Sequence, residues 1–223
     1  TVAHEIRNPL GGIEGFASLL SRDFEKSDPR LKLVTKILEG ARSLNRVVNE
    51  LLMFTRPIKL DFRKIEVAHV IEGAIGFLNE DIKKSKIRTY KRLGPKPLLV
   101  WGDGEQLKRV LLNIILNAVQ AMPQGGSLSV SCRRRSLPRG AQQMLGHGRN
   151  GTWVEIAVRD SGSGIDENEI PRIFNPFYTK KEKGTGLGLA IATKIVEAHR
   201  GQITASNSPK GGAIFVISLP LEN

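Results

Sequence analysis

The chain has 223 residues, a length that allows one or two domains, and its 40% apolar and 25% charged content is that of a globular protein. The net charge of +12 would attract phosphate, acidic lipid or nucleic acid. Part of that excess is the local run Arg133, Arg134, Arg135, Arg139 and Arg149, with no aromatic residue between them to stack a base, so no nucleic acid is expected as a partner. The single cysteine, Cys132, excludes an intramolecular disulfide and a thiolate metal cluster and fits a reducing, cytoplasmic setting. No apolar run approaches the length of about eighteen residues that would suggest a membrane segment in this stretch. The chain opens inside a helical pattern with no N-cap, so a longer parent protein is expected.

Val2, Ile6, Leu10, Ile13, Ala17, Leu20 and Phe24 recur at helical spacing and predict a first helix over residues 1–26. His4 falls at the edge of that stripe, where an imidazole meets either solvent or a second domain. Pro9 lacks an amide donor, and Gly11, Gly12 and Gly15 weaken the helix, so it needs tertiary packing to persist. Ser27-Asp28-Pro29 reads as a turn with Asp28 as N-cap and Pro29 at the first helical position. A second helix follows over about 29–54, with Val34, Ile37, Ala41, Leu44, Val48 and Leu51 forming a heptad seam. Two helices alone expose too much of that seam, so a homodimer closing into a four-helix bundle is expected, the alternative being a hairpin packed on the rest of its own chain.

Arg56-Pro57 ends the helix and opens a linker. Beyond it the pattern predicts a strand near 60–65, a helix over 67–84, short strands at 87–92 and 98–101, and a helix at 105–122. Strands at 128–134 and 153–160 bracket a basic loop at 133–150. A short helix at 167–174, a helix at 187–199 and a hairpin of 203–206 with 213–219 complete the chain. Strands and helices interleave, but several strand pairs are hairpins. The fold class is therefore α+β: a helical hairpin, then an α/β sandwich with a mixed or antiparallel sheet and helices on one face.

Three stretches carry chemistry. Asn113 and Asn117 stand one turn apart on one helix face, opposite Leu111, Leu112, Ile115, Leu116 and Val119. Asparagine is unfavourable inside a helix unless its carboxamide has a target, either local backbone or a cation with phosphate oxygens such as Mg²⁺. Asp160-Ser161-Gly162-Ser163-Gly164 follows a strand. It reads as a turn, or as an acid that accepts from an exocyclic amine beside glycines that admit a flat ligand. Gly184-Thr185-Gly186-Leu187-Gly188 leads into a helix and reads as a flexible hinge, or as an anion site made by the helix's free amides, with Lys180, Lys181 and Lys183 just before it. It is neither a dinucleotide fingerprint nor a P-loop, since neither glycine spacing is met.

In this order the motifs resemble those of bacterial sensor histidine kinases along the whole chain. His4-Glu5-Ile6-Arg7-Asn8-Pro9 resembles the H-box, Asn113–Asn117 the N-box, Asp160–Gly164 the first glycine box, Phe174–Phe177 the F-box and Gly184–Gly188 the second glycine box. The wording around Phe177-Tyr178-Thr179 is similar to the nitrogen-regulator branch, whereas Lys180 departs from the threonine frequent there. The resemblance implies a dimerisation and phosphoacceptor domain over 1–57 and a Bergerat-type ATP-binding domain, shared with gyrase-like ATPases, over 58–223. It implies His4 as phosphoacceptor, Glu5 as its proton partner and Asn8 as the aligner of water in dephosphorylation of a response regulator. Asn113, Asn117, Asp160, Gly162, Gly164, Lys181, Lys183, Gly184, Thr185, Gly186, Leu187 and Gly188 would bind ATP, and Asn117 would hold Mg²⁺. A response-regulator receiver domain is the implied partner. A gyrase-like ATPase switch without self-phosphorylation is the alternative reading.

Overall fold

The structure is a computed structural model that describes residues 2–25, 27–136, 152–181 and 184–221, the side chains of residues 2–5 excepted. The chain divides into two compact units, Thr1–Pro57 with Phe177–Leu187, and Ile58–Pro176 with Gly188–Asn223.

The first unit is built on α1 (Val2–Leu20) and α2 (Pro29–Thr55). Helix α1 runs through Pro9 but stops before the expected residue 26. At its end Arg22 N–H and Asp23 N–H bond to the carbonyls of Leu19 and Leu20, three residues back, and the Ser21 hydroxyl donates to Ser18 O at 2.8 Å. Such tightening uses up the last carbonyls and ends the helix. Asp28 caps α2 as its sequence suggests, accepting from Arg30 N–H at 2.8 Å, with Pro29 at the first helical position. Between the helices Leu10, Ala17, Val34 and Ala41 are buried. Arg7 donates twice to Asn49 Oδ1, at 3.1 and 2.7 Å, and Arg42 bonds Glu14 at 2.9 Å. The heptad seam splits accordingly: Val34 and Ala41 pack inward, whereas Ile37, Leu44 and Leu51 stay exposed.

The second unit is an α/β sandwich. In chain order it runs β1 (Arg63–Glu66), α3 (Val67–Phe77), α4 (Asn79–Lys84), β2 (Ile87–Arg92), β3 (Leu99–Gly102), α5 (Gly104–Gln120), β4 (Gly126–Ser136), β5 (Thr152–Asp160), α6 (Gly188–Ala198), β6 (Gln202–Asn207) and β7 (Ala213–Pro220). A five-stranded sheet has the order β2-β4-β5-β7-β6, with β2 and β4 parallel and the other pairs antiparallel, and β1 pairs with β3 in a separate ribbon. Period-two alternation places Leu128, Val130 and Cys132 of β4 and Phe215, Ile217 and Leu219 of β7 in the core. Helix α5 packs on α3, α6 and β5 and buries Leu107, Val110, Leu111, Ile114, Ile115, Ala118 and Val119. The face opposite the two asparagines is thus shifted from the expected one: Leu112 is half-buried and Leu116 is 38% exposed.

Three elements differ from expectation. The helix expected over 67–84 is two helices, broken at Leu78, whose φ of −94° and ψ of 10° leave the helical basin while its side chain stays in the core. Residues 167–174 form successive turns rather than a helix. Bonds such as Ile170 N–H to Asp166 O and Ile173 N–H to Glu169 O form, but Pro171 has no N–H to contribute. Strand β4 runs to Ser136, two residues past the expected end at 134, so that Arg135 as well as Arg133 and Arg134 pairs with β5. There Arg133 and Arg135 both grip the buried Glu155 carboxylate, each at 2.5 Å. Burial alone would raise that carboxyl's pKa; the two guanidiniums outweigh it and hold it below the usual range. Residues 137–150 of the expected loop lie outside the described residues.

One buried histidine ties the helices to the ribbon. His199, just past α6, is 3% exposed; its Nε2 accepts from Asp103 N–H at 2.9 Å, and its Nδ1 lies 2.8 Å from Ile195 O. Only the neutral ring protonated at Nδ1 satisfies both partners. Asp103 is the N-cap of α5, accepting from Glu105 N–H and Gln106 N–H, each at 3.1 Å. The imidazole therefore fixes the start of the helix that carries Asn113 and Asn117.

Candidate functional site

The α/β unit brings four of the expected ligand positions into direct bonded relation. Asn113 and Asn117 are half-buried on α5. The Asn113 carboxamide Nδ2 donates to Gly188 O at 3.0 Å, so the N-box helix is fastened to the first residue of α6. A Cβ on Gly188 would lie 3.7 Å from the Asn113 carboxamide, which is ordinary contact. The bond uses the amide nitrogen of Asn113 and leaves its carbonyl oxygen outside this contact.

Asp160 ends β5 and is 3% exposed. Its Oδ1 accepts from Gly162 N–H at 2.8 Å and from Ala213 N–H at 3.1 Å. Two backbone donors on one oxygen fix the carboxylate plane and leave the other oxygen for a donor outside the loop. Gly162 lies where a Cβ would come within 2.6 Å of Ala121 O, the residue just past α5, so the loop can rest on the helix end only as glycine. Gly164 has φ of +75° and meets the Asn207 side chain. The Ala213 amide and Asn207 belong to the β6–β7 hairpin, which the sequence shows only as a closing hairpin. Its one local signal is Gly211-Gly212 at the turn, where a Cβ on Gly212 would come within 2.1 Å of Asp160 O.

The remaining ligand positions belong to the helical unit. Phe177 N–H bonds Gly186 O at 3.0 Å, and both residues have left-handed φ, 66° and 69°. The segment between them is thus closed at its base. Within it Gly184 N–H bonds Lys181 O at 3.0 Å, and the Thr179 hydroxyl accepts from Lys181 N–H at 3.1 Å. The Thr185 hydroxyl donates to Glu50 of α2 and accepts from Leu187 N–H at 3.3 Å. Leu187 is fully buried.

Asn8 is exposed on α1, one residue beyond the Arg7 that bonds Asn49. His4 and Glu5 lie in α1, but their side chains and all of Lys183 lie outside the described residues. Among the described residues no group of three His, Cys, Asp or Glu could hold a metal ion, and no helix is long and apolar enough to cross a membrane.

Comparison with known proteins bears on both units. Residues 1–58 match the family described as His Kinase A (phospho-acceptor) domain, and residues 102–223 match histidine kinase-, DNA gyrase B- and HSP90-like ATPases. Over 99% of its length the chain is 36% identical to sensor histidine kinase ZraS of Klebsiella oxytoca, covering 45% of that protein. It is 33% identical to signal transduction histidine-protein kinase AtoS of Escherichia coli K12, again over 99% of its length and 34% of that protein. The chain thus spans less than half the length of these curated relatives. Among solved structures, histidine kinase ThkA in complex with response regulator protein TrrA superposes with a TM-score of 0.70 at 27% identity, covering 99% of this chain and 60% of that one. Full-length ShkA in complex with AMPPNP superposes at 0.78 with 24% identity, over the whole of this chain and 45% of that one, and speaks for the fold. The chain belongs to the sensor histidine kinases, with a phospho-acceptor domain of helices followed by a mixed-sheet ATP-binding domain.

Proposed function

We propose that this chain is a kinase core that transfers the γ-phosphoryl group of ATP to His4 and then to an aspartate on a response regulator. Residues 1–57 would serve as the dimerisation and acceptor domain and residues 58–223 as the catalytic domain. The observation that carries the reading is the Asp160 carboxylate, fixed by two backbone donors with one oxygen left over, beside an N-box helix fastened to Gly188.

In that reading the leftover Asp160 oxygen accepts from the adenine amine, and Gly162 and Gly164 let the loop approach the base. The amides from Gly184 to Gly188, with Lys181 and Lys183, meet the phosphates. Asn117 would offer a carboxamide oxygen to Mg²⁺. Such an oxygen donor suits a hard cation. The bound ion would supply charge neutralisation at the β- and γ-phosphates.

At neutral pH an imidazole with a pKa of about 6.5 is largely neutral and carries one nucleophilic nitrogen. Its lone pair attacks phosphorus as the bond from the γ-phosphorus to the bridging oxygen breaks. ADP departs with that electron pair, and the ring N–H proton passes to Glu5. Such a transfer depends on positioning and charge stabilisation more than on covalent help. The regulator's aspartate then displaces the imidazole, and in the separate phosphatase reaction Asn8 aligns a water that hydrolyses the aspartyl phosphate to aspartate and free phosphate.

The acceptor unit is completed by a second copy. Ile13, Phe16, Leu33, Ile37 and Leu44 are exposed by 46%, 76%, 62%, 50% and 55% along α1 and α2. Pairing two hairpins covers that stripe in a four-helix bundle. The test is incubation with ATP labelled at the γ-phosphate. His4→Ala is expected to abolish label uptake while ATP still binds with unchanged affinity. A variant that still takes up acid-labile, base-stable label would end the assignment.

A further inference from the structure

The β6–β7 hairpin holds the loop that presents Asp160, and one side chain does most of the holding. Asn207, the last residue of β6, lies 42 residues beyond Ile165. Its Oδ1 accepts from Ile165 N–H at 2.8 Å, and its Nδ2 donates to Ile165 O at 2.5 Å. A primary carboxamide can satisfy the amide and the carbonyl of one residue together, as a neighbouring strand would. Ile165 is thereby held as if it were paired in a sheet, although it lies in an irregular loop.

Gly164 shows how close this clamp sits. Its φ is +75°, and a Cβ there would lie 2.9 Å from Asn207 Oδ1. Any other residue at that position would strain the backbone and push the carboxamide out of its two bonds. The other end of the loop is fixed from the same hairpin, where Ala213 N–H bonds Asp160 Oδ1 at 3.1 Å. The acid-glycine segment is therefore gripped at both ends by residues 207 and 213, while its middle carries Ser161 to Ser163. Asn207 is itself exposed, and nothing in its burial demands an amide there.

We infer that Asn207 is a positioning residue for base recognition: by clamping Ile165 it holds Gly162 and Gly164 where the Asp160 carboxylate can discriminate adenine from other purines. The inference rests on Asp160 as the acceptor for the adenine amine. Without the clamp the loop would sample many conformations, and binding would have to order it again. The cost falls on the contact that distinguishes bases, and the phosphate contacts made elsewhere are spared.

The test compares ATP with inosine triphosphate, which carries an oxygen in place of the amine, by calorimetry on the intact chain. Wild type is expected to prefer ATP. Asn207→Ala should weaken ATP by about tenfold, as the loss of two hydrogen bonds suggests, and leave inosine triphosphate within about twofold. Gly164→Ala, which attacks the clamp from the other side, should shift the ratio the same way. If Asn207→Ala keeps the wild-type preference while Asp160→Ala loses it, the inference is overturned and the adenine reading stands. An equal loss for both nucleotides also overturns it, since a merely loosened fold would do that. If Asp160→Ala keeps the preference, the adenine reading fails and the inference falls with it.

Discussion

The two units differ in how far each satisfies its own chemistry. The α/β unit has a core of fully enclosed large apolar side chains: Ile71, Ile114, Ile115 and Leu128 are each 0% exposed, and Leu111 and Ile217 are 1%. Among the described side chains of α1 and α2 the buried apolar ones are Leu10, Ala17, Val34 and Ala41, while Phe16 and Leu33 are 76% and 62% exposed. Both units have stripes that read as amphipathic in the sequence. The α/β unit folds its stripes against one another, whereas a two-helix hairpin has only one partner surface to offer. A sheet with helices on it can enclose its own apolar stripes, and a lone helical hairpin leaves part of its stripe for another surface to cover.

That contrast can be broken by substitution, and the largest effect should fall on the hairpin. Ile37→Lys together with Leu44→Lys places two charges on the exposed stripe. It should convert a self-associating chain into a monomer in sedimentation velocity, with little loss of secondary structure. If the wild-type chain is itself monomeric at high concentration, the second copy is not what covers the seam. The next effect lies in the core. Ile114→Ala on α5 leaves a cavity in a fully buried site and should cost about 2–5 kcal/mol in denaturant unfolding. Leu44→Ala, by contrast, should leave the unfolding of the α/β unit unchanged and act only through association.

The smallest expected effect is a pH dependence at His199. Burial pushes the His199 imidazole below its ordinary value, against the Ile195 carbonyl and the Asp103 carboxylate, which pull it up. The unfolded chain therefore binds a proton more readily than the folded one. The stabilisation is complete above the unfolded value of about 6.5 and is lost as pH falls through the lower folded value. A charged ring would also turn Nε2 into a donor facing the Asp103 N–H donor. The melting temperature of the wild type should thus fall more steeply below about pH 6.5 than that of His199→Gln, which does not titrate there. Equal slopes would remove His199 from the account.

Much of this architecture is written in local pattern. The Asp28–Pro29 cap, the period-two strands β4, β5 and β7, and the asparagine pair on α5 all follow from spacing and propensity that neighbours in the chain impose on each other. What was hidden depends on contacts distant in sequence or on single backbone groups. The break at Leu78 interrupts an apolar pattern that stays periodic across it, so the pattern alone gives no sign. Pro171 sits in plain view within 167–174 and is the local sign that a regular helix there lacks one donor. Arg135 reads as loop charge because Glu155, the partner that seats it in a strand, arrives twenty residues later. Asn207 carries no motif at all; only the folded hairpin brings it to Ile165. The exposed part of the heptad seam is legible as apolar, but which of its residues face inward was decided by the pairing of α1 with α2.

The account centres on a phosphoryl group that leaves a nucleotide in the α/β unit and arrives on an imidazole in the helical one. The direct measurement is mass spectrometry of the chain after incubation with ATP, digested with trypsin under alkaline conditions. The account predicts one phosphoryl group on the peptide ending at Arg7, in which His4 is the only histidine, with the group lost on brief acid treatment. ATP bound and hydrolysed with that peptide unmodified, or phosphate recovered on a different peptide, would contradict it.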